Sequence, residues 1–135
     1  MTRVLFHQLP GEKRAPSVLR EAIRLYEEGR PCLIWVEDSG HRAAFDEYLW
    51  NYEKLAFVPH LNWNSGMGEV VDPIVLLGEA GAPNGAEILL VGEGMPPEDW
   101  TGRFSEIHEF LPPGDKGESR RHFWEEWQKK QGETA

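Results

Sequence analysis

The pattern of apolar and polar positions along the chain alternates between strand-like and helix-like segments. Residues 3–8 form a short run typical of a strand, and the apolar positions of residues 17–28 recur at helical spacing. The nearly unbroken apolar run of residues 31–36 is typical of a strand that is covered on both faces, and Ser39 after it is placed to cap a second helix. This order of strand, helix, strand and helix favours a parallel sheet.

The second half of the chain predicts short strands separated by long loops, and then one more helix. The predicted strands cover residues 56–58, 74–77, 87–91 and 105–110. Two stretches rich in Gly, Asn and Pro, residues 61–72 and 79–85, predict loops that we expect to be mobile. Helical spacing returns at residues 115–131, and residues 132–135 are expected to fray. Residues 1–135 are therefore predicted to form a single α/β domain around a mostly parallel sheet.

The charge balance limits the partners that the whole surface can bind. The 135 residues carry 14 Lys and Arg against 23 Asp and Glu, for a net charge of -9. Proteins that bind duplex nucleic acid or anionic lipid need a surplus of basic residues, so we expect no tight DNA binding and no membrane binding. Only residues 115–131 are not acidic, with five basic and four acidic side chains.

The single cysteine, the scattered histidines and the short apolar runs indicate a cytoplasmic protein without a metal or a cofactor. Cys32 is the sole cysteine, so no disulfide forms within the chain, and C-x-x-C and H-E-x-x-H patterns are missing from the sequence. The five histidines occur singly, which is more typical of structural residues than of ligands. No apolar run approaches the ~20 residues of a membrane helix.

A search for catalytic motifs leaves a binding module as the favoured class of protein. The one Gly pair that follows a strand, Gly92-Glu93-Gly94, has Pro97 at the position of the third glycine, and Glu93 would repel a pyrophosphate. The chain also lacks G-x-x-x-x-G-K-[ST] and G-x-S-x-G. The alternative is a small nucleotide-binding enzyme or sensor with a phosphate site of another kind.

Two aromatic clusters are candidates for a partner site. The first spans residues 49–60, where Trp50 is predicted at the rim and Leu49 and Phe57 are more simply explained as core residues. The second spans residues 120–127, where an arginine beside an indole would suit a carboxylate carried on an apolar side chain. The alternative for this second cluster is an amphipathic helix that packs its tryptophans on the sheet.

The chain resembles the chi subunit family of bacterial DNA polymerase III at several places in the same order. The strings L-W-N-Y at 49–52 and A-F-V-P-H at 56–60 are similar to the family's L-W-x-Y and S-F-[LV]-P-H block. The R-x-x-W-x-x-W of residues 121–127 resembles the family's R-x-R-[YW]-K-x-[YW] tail helix. Other similar segments are V-L-F-H at 4–7, D-P-I-V-L-L at 72–77, N-G-A-E-I-L-L-V at 84–91 and F-S-E-I-H-E-F-L-P at 104–112.

The resemblance implies a Rossmann-like, three-layer sandwich without a nucleotide site, which acts as a non-catalytic accessory of the clamp loader. In the family, one surface contacts the psi subunit. Another surface receives the acidic C-terminal tail of single-stranded DNA-binding protein, which ends in an apolar residue. The implied function is thus that of an adaptor in DNA replication.

The resemblance also places the partner site on particular residues. The tail-binding arginine falls on Arg121, the aromatic after it on Trp124 and the helix-end tryptophan on Trp50. The chain departs from the family at Glu125, where Lys is common, so we expect weaker tail binding unless Lys129, Lys130 or Arg120 compensates. The implied partner-binding residues are Trp50, Phe57, Pro59, His60, Leu111, Arg120, Arg121 and Trp124.

Overall fold

A central parallel sheet organises the molecule, for which a computed structural model describes residues 2–51 and 58–134. The six strands within these residues are β1 (Arg3–Gln8), β2 (Cys32–Val36), β3 (His60–Asn62), β4 (Ile74–Leu77), β5 (Ile88–Glu93) and β6 (Glu106–Leu111). Their order is β1-β6-β5-β2-β4-β3, and every neighbouring pair is parallel. The predicted fold class, a Rossmann-like α/β sandwich, is confirmed, and β1 and β3 form the two edges of the sheet.

The helices begin and end at residues with identifiable local roles. They are α1 (Ala15–Glu27), α2 (Ser39–Asn51), α3 (Glu98–Thr101) and α4 (Asp115–Thr134). After α1, Gly29 adopts a left-handed φ of 74°, and the Arg30 N–H donates to the Leu25 carbonyl, 2.9 Å away. At the start of α2, Asp38 Oδ1 accepts a 2.9 Å hydrogen bond from the His41 N–H. The cap of α2 is therefore Asp38, and the prediction of Ser39 was wrong by one residue.

Alternate residues of the strands divide the core into two apolar clusters, one on each face of the sheet. Ile34 packs with the buried side chains of α1 and α2, among them Leu49. Leu33 and Trp35 pack on the other face with Trp100 of α3 and with α4. Successive strand residues point to opposite faces, so α1 and α2 form one outer layer and α3 and α4 the other.

The largest differences from the predicted elements lie between residues 56 and 72. The predicted strand at 56–58 falls almost wholly outside the described residues, and the strand of this region is β3. The expected loop of residues 61–72 contains the end of β3 and a short 3-10 helix, Ser65–Met67. Its Trp63 is buried and donates from Nε1 to the Gly68 carbonyl at 2.8 Å. Asn and Gly predicted a flexible segment, but a single tryptophan anchors it.

The other strands and helices lie within a few residues of their predicted bounds, and two differences concern the C-terminal half. The four-residue helix α3 was not predicted. Helix α4 continues to Thr134, three residues beyond its predicted end, and the fraying of residues 132–135 stays a prediction.

Candidate partner-binding surfaces

Helix α4 carries three of the eight candidate residues, Arg120, Arg121 and Trp124, and its inner face is fixed on the sheet by two tryptophans. Trp124 and Trp127 are buried in the core cluster beneath α4, with 1% and 3% of their surfaces exposed. The Trp124 ring lies edge-on to Trp127 and to Phe123, with centroids 5.4 and 5.1 Å apart. The interpretation of α4 as a helix that packs its tryptophans on the sheet is therefore correct for both residues.

Arg120 and Trp124 converge on one buried carboxylate, that of Glu109 in β6. Glu109 Oε2 accepts hydrogen bonds from Arg120 Nε at 2.9 Å and from Trp124 Nε1 at 2.8 Å, and its side chain is completely buried. Its Oε1 accepts from the Phe110 N–H at 2.8 Å and lies 3.4 Å from Arg14 Nη1. These bonds engage the Trp124 indole and part of the Arg120 guanidinium within the fold, so the observed role of both residues is structural.

Arg121, the next residue along, has a different environment. Its guanidinium carbon lies 4.7 Å from the centre of the Phe6 ring, and both side chains are half-buried. Within the part of the chain that the structure describes, no carboxylate forms an ion pair with Arg121. Phe6 belongs to the edge strand β1 and packs on the face that α4 covers, so the pair lies at the margin of that face. This geometry, a cation over a phenyl ring at an edge, leaves the guanidinium donors available to an anion.

Val4 is the apolar neighbour of Phe6, since it lies two residues earlier on the same face of β1 and packs on the same core cluster. Phe123 packs on that cluster too, but it is two residues from Arg121 and so lies on the other flank of α4. Farther along α4, Glu125 is exposed, and Lys129 is paired with Glu126 at 3.2 Å. The exposed acid therefore lies on α4 as the sequence indicated, and one of the two lysines that could offset it is engaged by a neighbouring acid.

A second surface lies at the end of α2. Trp50 is 57% exposed, as predicted for a residue at the rim, whereas Leu49 is buried. The Trp50 ring contacts His60, with centroids 4.5 Å apart and planes at 61°. His60 itself is buried; its Nδ1 lies 2.8 Å from the Val58 carbonyl and its Nε2 lies 3.1 Å from Asp46 Oδ1. Half-buried Pro59 adjoins it, and Phe57 lies outside the described residues.

The structure does not bring Trp50 and Arg121 into one pocket. Helix α2 packs with α1 on one face of the sheet and beside β3, whereas α4 packs on the opposite face and contacts β1. Since β1 and β3 are opposite edges of the sheet, the two side chains lie on separate surfaces. Leu111 belongs to neither, because it is 2% exposed in β6. The combined site that the resemblance implied is thus two candidate surfaces.

Acidic side chains lie beside the glycine pair Gly92 and Gly94 at the end of β5. Glu93 Oε2 accepts from the Asp38 N–H at 3.1 Å, and Glu93 Oε1 lies 3.6 Å from His41 Nδ1. A Cβ at Gly94 would lie 2.8 Å from Glu37 Cβ. Carboxylates therefore fill the end of the sheet at which α/β folds commonly place phosphates, and this disfavours the alternative of a nucleotide site there.

Sequence reasoning missed Phe6 as the partner of Arg121. Residues 6 and 121 are far apart in the chain, and only the position of β1 at the sheet edge, under α4, brings them together. A phenylalanine in the first predicted strand was the available signal.

No helix within residues 2–51 and 58–134 is both long enough and apolar enough to cross a membrane.

Comparison with known proteins identifies one family. A family model described as DNA polymerase III chi subunit, HolC, matches residues 1–134, which is nearly the whole chain. No curated protein matches the chain.

Proposed function

The chain belongs to the DNA polymerase III chi subunit family, and from that premise we propose that it is a non-catalytic adaptor of the replisome. One surface would receive the acidic C-terminal tail of single-stranded DNA-binding protein, and a second would bind the psi subunit of the clamp loader. The observation that carries the proposal is the Arg121–Phe6 pair at the edge of the sheet.

The pair offers both groups that the end of such a tail requires. The terminal carboxylate would accept charge-assisted hydrogen bonds from the Arg121 guanidinium, whose donors are not used by an acid of the described chain. The apolar side chain of the last tail residue would lie against Phe6, with Val4, two residues earlier on the same face of β1, extending the apolar surface. Arg120 does not take this role, because Glu109 and the Gly94 carbonyl hold its guanidinium.

The surface around Trp50 supports the second interaction. Trp50 and Tyr48 are 57% and 42% exposed, and both stand on α2, away from the Arg121 surface. Exposed tryptophan and tyrosine commonly contribute most of the binding energy in protein interfaces. Tyr48 and Trp50 are two residues apart and lie on opposite flanks of α2, so Trp50, which contacts His60 beside β3, is the residue of this surface suited to a folded partner such as psi.

Substitution of Arg121 tests the tail site. Loss of a charged hydrogen-bond donor costs roughly 1.5–3 kcal/mol. We therefore expect Arg121→Ala to weaken binding of a labelled acidic tail peptide by about one to two decades in Kd, measured by fluorescence anisotropy. The melting temperature should change little, because a partly exposed cation–π contact contributes only about 0.5–1 kcal/mol.

Arg103→Ala is the matched control. The Arg103 guanidinium also lies over a phenylalanine, 5.8 Å from the Phe104 centroid, and the substitution makes the same change of net charge. This variant should bind the peptide like the unsubstituted protein. Equal binding by Arg121→Ala and Arg103→Ala would contradict the proposed tail site.

The alternative function, a nucleotide-binding enzyme or sensor, is tested by thermal shift. Stabilisation of the protein by ATP, GTP or NAD would favour it. A ligand at a hundredfold excess over its Kd raises the free energy of unfolding by about 2.7 kcal/mol.

A further inference from the structure

Two histidines and a glutamate meet on the α1 face of the sheet, on the face opposite the Arg121–Phe6 pair. His7 lies in β1 and His108 in β6. In the parallel register His7 pairs with Phe110, and Phe110 and His108 point to the same face of β6, so the His7 and His108 rings are diagonal neighbours. His7 Nε2 lies 2.8 Å from His108 Nδ1, and Glu21 Oε1 of α1 lies 3.7 Å from the same nitrogen. One ligand atom from each of the three residues lies within 4.8 Å of the others.

The hydrogen bonds around His108 fix which of its nitrogens carries the proton. Its Nε2 lies 3.1 Å from Glu106 Oε1, and a carboxylate can only accept, so Nε2 carries the hydrogen. In the neutral ring, Nδ1 then presents its lone pair to His7 and Glu21. A histidine that donates one N–H to a carboxylate and turns its other nitrogen inward is the arrangement that surrounds protein-bound metals. Glu106 is itself held by an ion pair with Arg30.

The third proposed ligand is held in place as well. Both carboxylate oxygens of Glu21 accept hydrogen bonds from Arg24 Nε, each at 3.1 Å. Arg24 also orients the carboxylate, as second partners of metal ligands do.

We propose that His7, Glu21 and His108 form a binding site for a divalent transition-metal ion of the Zn²⁺ class. Two imidazole nitrogens and one carboxylate oxygen are a usual set of three protein ligands for zinc, which leaves the fourth position open. His7, Glu21 and Phe110 also line a surface cavity of about 200 Å³, which provides a path for the ion and room for a water at the open position. The ion takes the position of the hydrogen on His7 Nε2, which is exchanged through water onto His7 Nδ1, so that His7 stays a neutral imidazole and no net proton is lost.

Metal binding requires the two imidazole nitrogens to separate and the Glu21 carboxylate, now 3.7 Å from His108 Nδ1, to approach. Tetrahedral zinc with Zn–N bonds of about 2.0–2.1 Å holds two nitrogens roughly 3.3 Å apart, against the 2.8 Å of the present hydrogen bond. His108 is 2% exposed and fixed by Glu106, whereas His7 is half-buried on an edge strand. The His7 ring therefore makes the adjustment.

Titration of the tag-free protein with Zn²⁺ by calorimetry tests the proposal, with Co²⁺ as a second probe whose visible spectrum reports the coordination geometry. We expect one ion per chain, a rise in melting temperature and a tetrahedral spectrum. His7→Gln should weaken binding by about tenfold or more. The control is His122→Gln, which removes an exposed histidine of α4 and should leave binding unchanged.

A second variant covers the case in which His7→Gln does not fold, because Glu21→Gln changes only a half-buried residue of α1 and should weaken binding in the same way. The proposal is overturned if the unsubstituted protein does not bind Zn²⁺. It is also overturned if a folded His7→Gln or Glu21→Gln variant binds the ion as tightly as His122→Gln does.

Discussion

Glu109 and its partners show how one buried charge holds several elements in place. Its carboxylate accepts hydrogen bonds from α4 through Arg120 and Trp124, and it pairs with Arg14 at the start of α1. Arg120 also donates to the Gly94 carbonyl at 2.9 Å, which adds the turn that follows β5. A buried ion pair adds little stability in itself, but removal of one member leaves the others uncompensated.

Glu109→Ala should therefore lower the free energy of unfolding by about 3 kcal/mol, because Arg14 and Arg120 keep charges that are largely removed from water. Urea denaturation measures the change. Glu126→Ala removes the acid of an exposed pair with Lys129 and is the control, for which we expect less than about 1 kcal/mol. A similar small loss for both variants would show that the Glu109 network is not needed for stability.

The same residues mark the limit of what the sequence could establish about the candidate site. The string of Arg120, Arg121 and Trp124 gives no sign of which arginine is engaged, because the buried acid that selects Arg120 lies eleven residues earlier in the chain, in β6. The exposure of Trp50 followed from its helical position beside Leu49, because helix geometry is local. Phe6 could not be assigned, since its contact with Arg121 depends on tertiary packing.

At the scale of elements, the sequence predicted those strands and helices that carry a local signal, such as an apolar run or helical spacing. The apolar run of β2 and the helical spacing of α1 lie within two residues of their predicted bounds. β3 is only three residues long, and it is defined by its pairing with β4 rather than by an apolar run of its own. Non-local hydrogen bonds of this kind leave little trace in a single sequence.

We now expect residues 61–72 to exchange their amide hydrogens unevenly instead of being mobile throughout. The Trp63 N–H donates to the Leu76 carbonyl at 2.8 Å, and its ring is buried, so its amide should exchange slowly. Val71 is 97% exposed, and fast exchange is expected beside it. Hydrogen exchange followed by NMR measures both, with the Ile34 amide of the central strand β2 as the slow reference. Equally fast amide exchange at Trp63 and Val71 would instead support a segment that is mobile throughout.

At the scale of the whole molecule, the sheet keeps the two candidate surfaces apart. Trp50 stands on α2 beside the β3 edge, and Arg121 stands on α4 beside the β1 edge. The strands of the sheet connect the two, and the contacts given above for Trp50 and for Arg121 involve different residues. Substitutions on the two surfaces should therefore act independently, since distant sites without common partners are usually additive within about 0.5 kcal/mol.

Trp50→Ala should weaken binding of the psi subunit by about 2 kcal/mol, or roughly 30-fold, and leave the affinity for the tail peptide unchanged. Arg121→Ala should do the reverse. Calorimetric titrations with psi and with the peptide, for each variant and for the double variant, measure the four affinities. Loss of peptide binding in Trp50→Ala would indicate one continuous site and would contradict the separation of the surfaces.

The pairing of β1 with β6 also bears on the order in which the chain is made. Thr2 Oγ1 donates to the Phe104 carbonyl, 102 residues away, and β1 pairs among the described strands with β6 alone. During synthesis on the ribosome, β1 therefore cannot pair until β6 has emerged. Phe6 and Arg121 meet only after both β6 and α4 have been synthesised, so a shorter nascent chain lacks the proposed tail site. Recruitment through that site would then select chains in which α4 is complete.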